Sequence, residues 1–374
     1  METKERTDMG ETVEGWGKSL QAAVCEKCDW QYLLPAGEAL PRCPHCFGAQ
    51  LTPLSEHLEG LPYLRPPELI VPFALSAEML AQRVAAFAQG IPFCPSDLSY
   101  KALRARLHPL YLPVWLVDVE VTAAWQGEAG YDYEVVSHQD RYTDGSDGWV
   151  SQQVKERRVR WEPRMGRLQR LYPNVMSPAV EGEAVLKRHL GRYDMKAAQP
   201  YTPDLLKQEW VRLPDRSPEA AWADAEPAVR TAALEECRSA ASADHFREFR
   251  WTPEYASRTW TLFLLPVYTT YYLDDAQQPQ PVLIHGQTGV ISGVRKASMQ
   301  RARQAALIIG VVAVVLFLLS LVLLGVGVVV PPLVVLGGIG MAVAVFVGVG
   351  ATIPVLWAWY FNTRGSEGAQ EEGK

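Results

Sequence analysis

The sequence AALIIGVVAVVLFLLSLVLLGVGVVVPPLVVLGGIGMAVAVFVGVGATIPVLWAWYF fills residues 305–361 and contains no Lys, Arg, Asp, Glu or His. The runs 305–330 and 333–361 are each long enough, at about 1.5 Å per helical residue, to cross a hydrocarbon core of roughly 30 Å. Between them Pro331-Pro332 ends the first helix, because proline lacks a backbone N–H and clashes with the preceding turn. The pattern predicts a transmembrane helical hairpin; a pair of buried core helices is the alternative.

The charges that flank this hairpin, residues 304–362, indicate its orientation. Basic residues lie on both sides of the hairpin, and the turn between the runs has no charge: Arg295, Lys296, Arg301 and Arg303 come before it and Arg364 comes after it. Because short cytoplasmic loops of membrane proteins carry an excess of Lys and Arg, both ends are predicted to be cytoplasmic.

The N-terminal sequence also indicates a cytoplasmic location. It begins METKERTDMGETVEG, without the apolar segment of a signal peptide. We expect residues 1–20 to be a disordered tail and residues 363–374 a cytoplasmic tail. The predicted protein is a multi-pass protein of the cell (inner) membrane, with both termini in the cytoplasm and the lipid bilayer as a partner.

Composition limits the remaining function classes. The 374 residues carry a net charge of −6, so the chain lacks the overall basicity that favours nucleic-acid partners. Four of its six cysteines lie in one N-terminal segment. In a reducing compartment such clustering indicates a metal site more than disulfides.

The four clustered cysteines have the spacing of a zinc ribbon, predicted over residues 21–52. Cys25 and Cys28 form one C-x-x-C pair, and Cys43 and Cys46 form another. Each pair can bend through a tight turn so that two sulfurs face one point, and two such turns supply the tetrahedral set that Zn²⁺ prefers. Since four thiolates close the site, we expect one structural Zn²⁺. A redox dithiol or a pair of disulfides is the alternative.

The predicted ribbon is a poor candidate for nucleic-acid binding. It has three acidic residues against two basic ones, so it lacks the counterion-release term that dominates nucleic-acid affinity. Its aromatic residues Trp30, Tyr32 and Phe47 are more typical of a minimal core than of base stacking. Nucleic acid is therefore not an expected partner.

The middle of the chain is predicted to be an α+β domain over residues 76–300, reached through a proline-rich linker over 53–75. Ser76 has the pattern of a helix N-cap, and apolar residues at helical spacing follow it. Stretches rich in β-branched and aromatic residues then indicate an antiparallel meander. Ser217-Pro218 begins a second helix, again followed by strand pattern.

The repeated order suggests an internal duplication, with segments 76–175 and 217–296 as the copies. Leu110-Tyr-Leu-Pro-Val-Trp115 and Phe263-Leu-Leu-Pro-Val-Tyr268 occupy matching places after their helices. Chance similarity of two apolar strands is the alternative.

Several phrases resemble a bacterial family of zinc-ribbon proteins. Beside the ribbon, they are Ile70-Val-Pro-Phe-Ala-Leu-Ser76, Leu110-Tyr-Leu-Pro-Val-Trp115, Thr261-Leu-Phe-Leu-Leu-Pro-Val-Tyr268 and His285-Gly-Gln-Thr-Gly289. The family is often labelled as having a transcription-factor-IIB-type zinc ribbon, or loosely as similar to the primosomal replication-restart helicase. Where it usually reads Leu-Leu-Pro-Val-Trp and Asn-Gly-Gln-Thr-Gly, this chain has Tyr268 and His285. The resemblance, over about residues 21–300, implies a link to membrane-stress proteins and no defined activity. No GxxxxGK[ST] phosphate loop supports the helicase label.

Two further segments are candidate sites. The motif His285-Gly286-Gln287-Thr288-Gly289 has glycines that let a backbone approach a ligand, but a hairpin turn explains the same pattern. The second segment is the basic block within residues 155–170, with Lys155, Arg157, Arg158, Arg160, Arg164, Arg167 and Arg170. It is a candidate contact for anionic lipid or an acidic partner, and a charged edge strand is the alternative.

Taken with the hairpin, these features predict a membrane-anchored, non-enzymatic adaptor or scaffold. A membrane or membrane-associated protein is its expected partner, in an assembly for membrane stress or envelope maintenance. The alternatives are a membrane-tethered nucleic-acid binder that uses the ribbon and the basic block, and an enzyme with an unrecognised site in the α+β domain.

Overall fold

A computed structural model describes residues 13, 15–37, 40–54, 63–143, 148–181 and 190–371. The strands are β1 (Leu20–Cys25), β2 (Gln31–Pro35), β3 (Leu51–Pro53), β4 (Leu69–Ile70), β5 (His108–Thr143), β6 (Gly148–Pro178), β7 (Gln199–Pro200), β8 (Trp210–Arg212), β9 (His245–Leu273), β10 (Pro279–His285) and β11 (Ile291–Gly293). The helices are α1 (Ala77–Ala88), α2 (Tyr100–Ala105), α3 (Pro218–Ala240), α4 (Met299–Gly327), α5 (Pro332–Gly350) and α6 (Ile353–Glu371).

The strands form one mixed sheet with helices packed on it, which agrees with the predicted α+β class. The predicted meander was wholly antiparallel, but β4 and β8 run parallel to β9 and β5. Its main path runs β11-β10-β9-β5-β8-β2-β1-β3, with β6 beside β5 and with β4 between β9 and β7. Strands β5 and β9 pair antiparallel at the centre. The cysteine-bearing strands join this sheet through β2 and β8, so they do not form a separate layer.

Strands β5 and β6 continue far beyond the core. They contain 36 and 31 residues, and they stay paired from Val114–Pro178 to Thr143–Gly148. At about 3.3 Å per residue, β5 spans at most about 120 Å. We call residues 118–143 with 148–174 the arm. Strand β9 accompanies the arm as far as the Gly130–His245 pair, so only two strands continue outward from there.

One face of the arm is covered by α3. Because side chains alternate along a strand, Val117, Val119 and Val121 point to the same face. They are buried with Val229 and Ala233 of α3. Ser217 caps this helix by accepting a hydrogen bond from the Ala220 N–H, as its sequence pattern predicts.

The two halves of the sheet have the same order of elements and the same pairing. One half is β4-α1-β5-β6 and the other is β8-α3-β9-β10. Strand β4 runs parallel to β9, with Leu69 opposite Phe263, and β8 runs parallel to β5, with Trp210 opposite Leu110. The two Leu-Pro-Val motifs pair around Leu112–Leu265, and each leucine holds the same place in its motif. A local two-fold axis passes through this pair.

Hydrogen bonds outside the strands repeat across the same axis. The Ala74 N–H donates to the Gly286 carbonyl, and the Asp215 N–H donates to the Ala179 carbonyl, both at 3.1 Å. The predicted boundaries at 76 and 217 were too late, because each half begins with the short strand that leads into its helix.

Two predicted unstructured segments contribute to the core. In the predicted tail, Val13 and Trp16 are buried, and the Trp16 indole donates to the Leu64 carbonyl at 2.8 Å. In the predicted linker, Ile70 and Val71 are fully buried. Both predictions were wrong for these residues, because a few apolar side chains in polar or proline-rich surroundings give no periodic signal. Residues 1–12, 14 and 55–62 lie outside the described residues.

The C-terminal helices match the predicted hairpin in place and length. Two helical segments, Met299–Val326 and Pro332–Thr363, are long and apolar enough to cross a membrane. Only 11% of the most apolar window of each is buried inside the protein. Their apolar side chains therefore face outward, unlike those of core helices. The second segment is broken between α5 and α6, just before Pro354.

The two segments pack through small residues. Gly340, Ala344 and Gly348 face α4, where a Cβ added to Gly340 would overlap the Ser320 hydroxyl and one added to Gly348 would lie 3.7 Å from Ala313. Small residues at such a seam let two backbones approach closely. Thr352, the next residue at this spacing, is exposed at the break.

The base of the hairpin is attached to the end of β9. The Asn362 side chain makes two hydrogen bonds with the Ala297 backbone, at 2.8 and 2.9 Å. Lys296 forms an ion pair with Asp274 at 3.1 Å, and its N–H donates to the Tyr272 hydroxyl at 3.0 Å. The hairpin is thus fixed to one end of the sheet, and the arm extends from the other.

Candidate metal centre

The four predicted cysteine ligands meet at one point. Cys25 ends β1, and the other three lie in the loops that follow β1 and precede β3. The Sγ atoms of Cys25 and Cys46 are 3.5 Å apart, those of Cys28 and Cys43 are 3.6 Å apart, and all four lie within 4.8 Å of one another. Residues from two distant turns therefore form one cluster that could hold a metal ion.

The two turns have the same backbone conformation. The Asp29 N–H donates to the Cys25 carbonyl at 2.8 Å, and the Phe47 N–H donates to the Cys43 carbonyl at 3.0 Å. Asp29 and Phe47, each directly after the second cysteine of its pair, have φ of 56° and 51°. This left-handed conformation is uncommon for residues other than glycine. Both turns therefore direct their two sulfurs to the same side.

The spacing of the sulfurs fits a tetrahedral metal. Four sulfurs at about 2.3 Å from a central Zn²⁺ lie about 3.8 Å from one another. Two of the observed separations, 3.5 and 3.6 Å, are close to this value, and none of the six exceeds 4.8 Å. A tetrahedral metal held by all four thiolates would have no coordination position left for a substrate.

Burial and hydrogen bonds shift the pKa values of three of the four cysteines. Burial raises the pKa of the Cys28 and Cys43 thiols above the usual range. Burial acts in the same direction on Cys46, but hydrogen bonds, first from the Gly48 N–H and then from neighbouring thiols, outweigh it and lower its pKa. Thiolates are the metal ligands, so a metal that binds here must displace protons.

Aromatic side chains and one arginine surround the cluster. The Tyr32 hydroxyl lies 3.5 Å from Cys43 Sγ. Burial, followed by the influence of Cys43, raises the pKa of Tyr32, so the phenol stays protonated. The Trp30 ring stacks on His45 with 3.6 Å between ring centroids, and the Arg212 guanidinium lies 4.6 Å from the Trp30 ring centroid. His45 is stacked and exposed, and its ring nitrogens are not among the ligand atoms that cluster within 4.8 Å.

The cysteine cluster is joined to the central sheet at two places. Strand β2 pairs with β8 at Tyr32–Arg212. The second cysteine turn contacts β9, where the Thr269 hydroxyl donates to the Pro44 carbonyl at 2.8 Å and Phe47 stacks on Tyr271 at 4.5 Å. The ribbon aromatics Tyr32 and Phe47 are buried in these contacts, which leaves them unable to stack on bases.

The motif at residues 285–289 forms a turn between β10 and β11. His285 is fully buried; its Nδ1 accepts hydrogen bonds from the Gln287 and Thr288 N–H groups at 3.1 and 3.3 Å. Its Nε2 lies 3.3 Å from the Arg192 carbonyl, which it can reach only as a donor. Burial lowers the pKa of His285 despite that carbonyl. Both ring nitrogens are used to hold the turn, so the geometry fits the turn interpretation.

The basic block does not form one surface. It lies along β6, where alternate side chains point to opposite faces. Lys155 and Arg170 are 15 residues apart, which is about 50 Å along a strand. Five of the seven side chains form ion pairs with carboxylates at 2.7–3.6 Å: Lys155, Arg158, Arg160, Arg164 and Arg170. This arrangement fits a charged edge strand better than a lipid-binding patch.

Sequence reasoning missed Arg212 as part of this site. The signal was a single charged residue in Trp210-Val-Arg-Leu-Pro214, an otherwise apolar stretch that the structure buries completely as β8. Buried arginine is rare unless it is paired. Its ion-pair partner Asp215 is three residues away, but the Gln31 carbonyl that it also contacts lies about 180 residues away in sequence, so no local pattern could place it beside the cysteines.

Comparisons with protein-family models, with curated proteins and with solved structures found no match. The resemblance to a zinc-ribbon family therefore stays a prediction.

Proposed function

We propose that this protein is a membrane-anchored adaptor that carries a protein-binding arm on a zinc-stabilised sheet. The observation that carries the proposal is the arm itself. The arm extends from one end of the sheet, and the proposed membrane hairpin is fixed to the other end. This arrangement suits a protein that connects a membrane to a partner. Along β9 alone, which has 29 residues, the two ends are separated by about 90 Å.

The hairpin is proposed as the anchor, with both ends in the cytoplasm. Its outward-facing apolar side chains need a lipid surrounding, and the basic residues at its base favour the cytoplasmic side. No Lys, Arg, Asp, Glu or His lies in either apolar run. Ion and proton pathways in membranes generally use such residues, so an anchoring role accounts for the hairpin better than transport.

Zinc is the proposed metal, in a ribbon that includes β1, β2 and β3. Tetrahedral sites with four thiolates select Zn²⁺ or iron, and a closed Cys₄ site is typical of structural zinc. Bound zinc would hold the two cysteine turns together and thereby stabilise the contact of β2 with β8 and of Phe47 with Tyr271.

A protein partner is favoured by the outer part of the arm. Beyond the Gly130–His245 pair, β5 has one edge that no other described strand covers. Tyr133 and Val136 on this stretch are 46% and 48% exposed. Unpaired strand edges with exposed apolar side chains are suited to strand addition by a partner. The resemblance to zinc-ribbon proteins linked to membrane stress supports an assembly for envelope maintenance.

Truncation of the arm tests this proposal. Residues 133–158 would be replaced by Asn-Gly, which joins the paired residues Asp132 and Val159 by a two-residue turn. After cross-linking in membranes, the full chain should recover a protein partner that the truncated chain loses. Both chains should keep equal membrane content and equal zinc. Recovery of the same partner by the truncated chain would contradict the proposal.

The full and truncated chains also distinguish the two alternative functions. If salt-sensitive binding of DNA or RNA by the full chain persisted after truncation, the nucleic-acid alternative would replace the adaptor. If no protein partner were recovered and a metabolite copurified with the full chain, that result would support the enzyme alternative.

A further inference from the structure

Arg212 is an unusual residue because its charge is almost completely enclosed. Its side chain is 1% exposed, on the last residue of β8. It donates to the carbonyls of Gln31 and Leu213 at 3.0 and 2.7 Å and to the Asp215 carboxylate at 2.7 Å. Its Nε has no hydrogen-bond partner among the described residues.

One carboxylate is weak compensation for this burial. Moving a cation out of water costs several kcal/mol, and an opposite charge offsets the cost only where it is also shielded from solvent. Asp215 is 31% exposed, so water weakens its attraction for the guanidinium. A second negative charge close to Arg212 would account for its position.

The Arg212 guanidinium also lies against two aromatic side chains that border the cysteine cluster. The guanidinium carbon lies 4.6 Å from the Trp30 ring centroid and 5.9 Å from the Tyr32 ring centroid. Trp30 stacks on His45, which lies between two of the cysteines, and Tyr32 contacts Cys43. Burial lowers the pKa of Arg212, while Asp215, Tyr32, Cys28 and Cys43, in that order, oppose the decrease. The Tyr32 ring therefore connects the guanidinium to the cluster, with Arg212 beside the ring and Cys43 Sγ 3.5 Å from its hydroxyl.

The two-fold arrangement of the sheet provides an internal control. Val211 of β8 and Ile70 of β4 take equivalent places beside the central strands, so the residue equivalent to Arg212 is Val71. Val71 is also fully buried. An aliphatic residue therefore fits this place in the half that has no cysteine cluster, and an arginine occurs only in the half that contacts the cluster.

We propose that Arg212 is the counter-cation of the metal centre and that it strengthens metal binding by offsetting the charge of the four thiolates. This inference rests on the zinc site of the proposed function. Four thiolates and one Zn²⁺ carry a net charge of −2, which is costly in a buried site. A guanidinium held against Trp30 and Tyr32 lowers that cost without acting as a ligand. Residues outside the ligand set typically change metal affinity by about 10–100-fold when they are removed.

Zinc affinity of the purified full chain, measured by competition with a chromogenic chelator, tests the proposal. Arg212→Met should weaken zinc binding by about tenfold or more. Arg212→Lys restores the charge without the planar group, and it should bind zinc more tightly than Arg212→Met. The matched control is Arg216→Met, which removes a half-buried arginine whose ion pair is with Asp224 on α3. The control should leave zinc affinity unchanged.

Asp215→Asn covers the case in which Arg212→Met does not fold. It removes the other partner of Arg212 and leaves the guanidinium in place. The proposal predicts that zinc affinity stays within about threefold of the parent or increases, because the guanidinium charge then acts on the cluster alone. If Arg212 served only to hold the Asp215 loop, this variant would weaken zinc binding as much as Arg212→Met.

The outcomes separate this inference from the zinc site itself. A parent chain with no zinc would overturn the proposed metal centre. A parent with one zinc, together with an Arg212→Met variant of equal affinity, would overturn only the role of Arg212. Equal weakening in Arg212→Met and Arg212→Lys would also overturn it, because shape and not charge would then be responsible. A tenfold weakening in Asp215→Asn would have the same consequence.

Discussion

The two halves of the sheet share a framework and differ in what they carry. The half β4-α1-β5-β6 lengthens its strand pair into the arm. The half β8-α3-β9-β10 uses the same pairing to hold the cysteine cluster, through the β2–β8 pair, and the apolar helical hairpin at the end of β9. The differences lie in side chains at equivalent places, Val71 against Arg212 and Ala179 against Gly286. The two halves therefore share one backbone arrangement, and they differ by a few side chains and by the extension of β5 and β6 into the arm.

Loss of the proposed zinc should have the largest effect, and the effect should be confined to one half. In Cys25→Ser with Cys28→Ser, we expect zinc to be lost and the free energy of unfolding to fall by several kcal/mol, because structural zinc contributes about 10–16 kcal/mol to isolated zinc modules. Metal analysis and hydrogen exchange of the full chain check this. Exchange should rise in β2 and β8 and stay unchanged in β4. Cys94→Ser, outside the cluster, is the control. Equal loss of protection in β4 would remove the distinction between the halves.

Gly286→Ala should have the next largest effect, since it gives the second half the residue of the first. A Cβ on Gly286 would lie 2.6 Å from the Pro266 carbonyl oxygen and 2.6 Å from its Cβ. We expect a cost of about 1–3 kcal/mol in thermal or denaturant unfolding, typical of overpacking. The reverse change, Ala179→Gly, should cost about 1 kcal/mol or less. If Gly286→Ala were neutral, the two turns would be interchangeable.

Acid should destabilise the second half through the buried His285. The equivalent residue of the first half is Pro178, which does not titrate. The pKa of His285 is lowered from its usual 6.5 by burial. The unfolded chain therefore takes up a proton near pH 6.5 and the folded chain only at lower pH, so the histidine's contribution to stability is present above pH 6.5 and is lost as pH falls through the folded pKa. His285→Asn can still accept hydrogen bonds from Gln287 and Thr288, and it should reduce the loss of stability between pH 7 and pH 5.

Unfolding curves at several pH values measure this effect. The control His245→Asn removes a surface imidazole at the start of β9. A parent and a His285→Asn variant with the same pH dependence would show that the buried histidine does not couple the turn to pH.

The sequence predicts elements with local signals. Ser76 and Ser217 cap their helices as expected, Pro331-Pro332 separates the apolar helices, and the four cysteines meet. These features depend on neighbours in sequence or on fixed spacing. They therefore need no knowledge of the tertiary structure.

The arm and the surroundings of the metal centre depend on distant contacts. Gly127 and Gly130 look like turn residues in sequence, but they lie inside the continuous β5. There, an added Cβ on Gly127 would overlap the Phe246 ring, and one on Gly130 would lie 2.8 Å from Val159. Because these glycines have no side chain, they leave room for side chains of the neighbouring strands. The chain does not turn at either glycine. The burial of Trp16 and Arg212 likewise depends on contacts with residues far away in sequence, so it could not be predicted from their neighbours.

The most direct test of the adaptor proposal places a photo-crosslinking amino acid at Tyr133 on the outer arm of the full chain in native membranes. The control carries the same group at Met79 on α1, which is similarly exposed, 45% against 46%. We predict one discrete protein adduct from Tyr133 that is absent from Met79, with zinc content equal in both chains. A folded, zinc-containing chain that gives no discrete adduct at Tyr133, or the same adduct from both positions, would contradict the proposal.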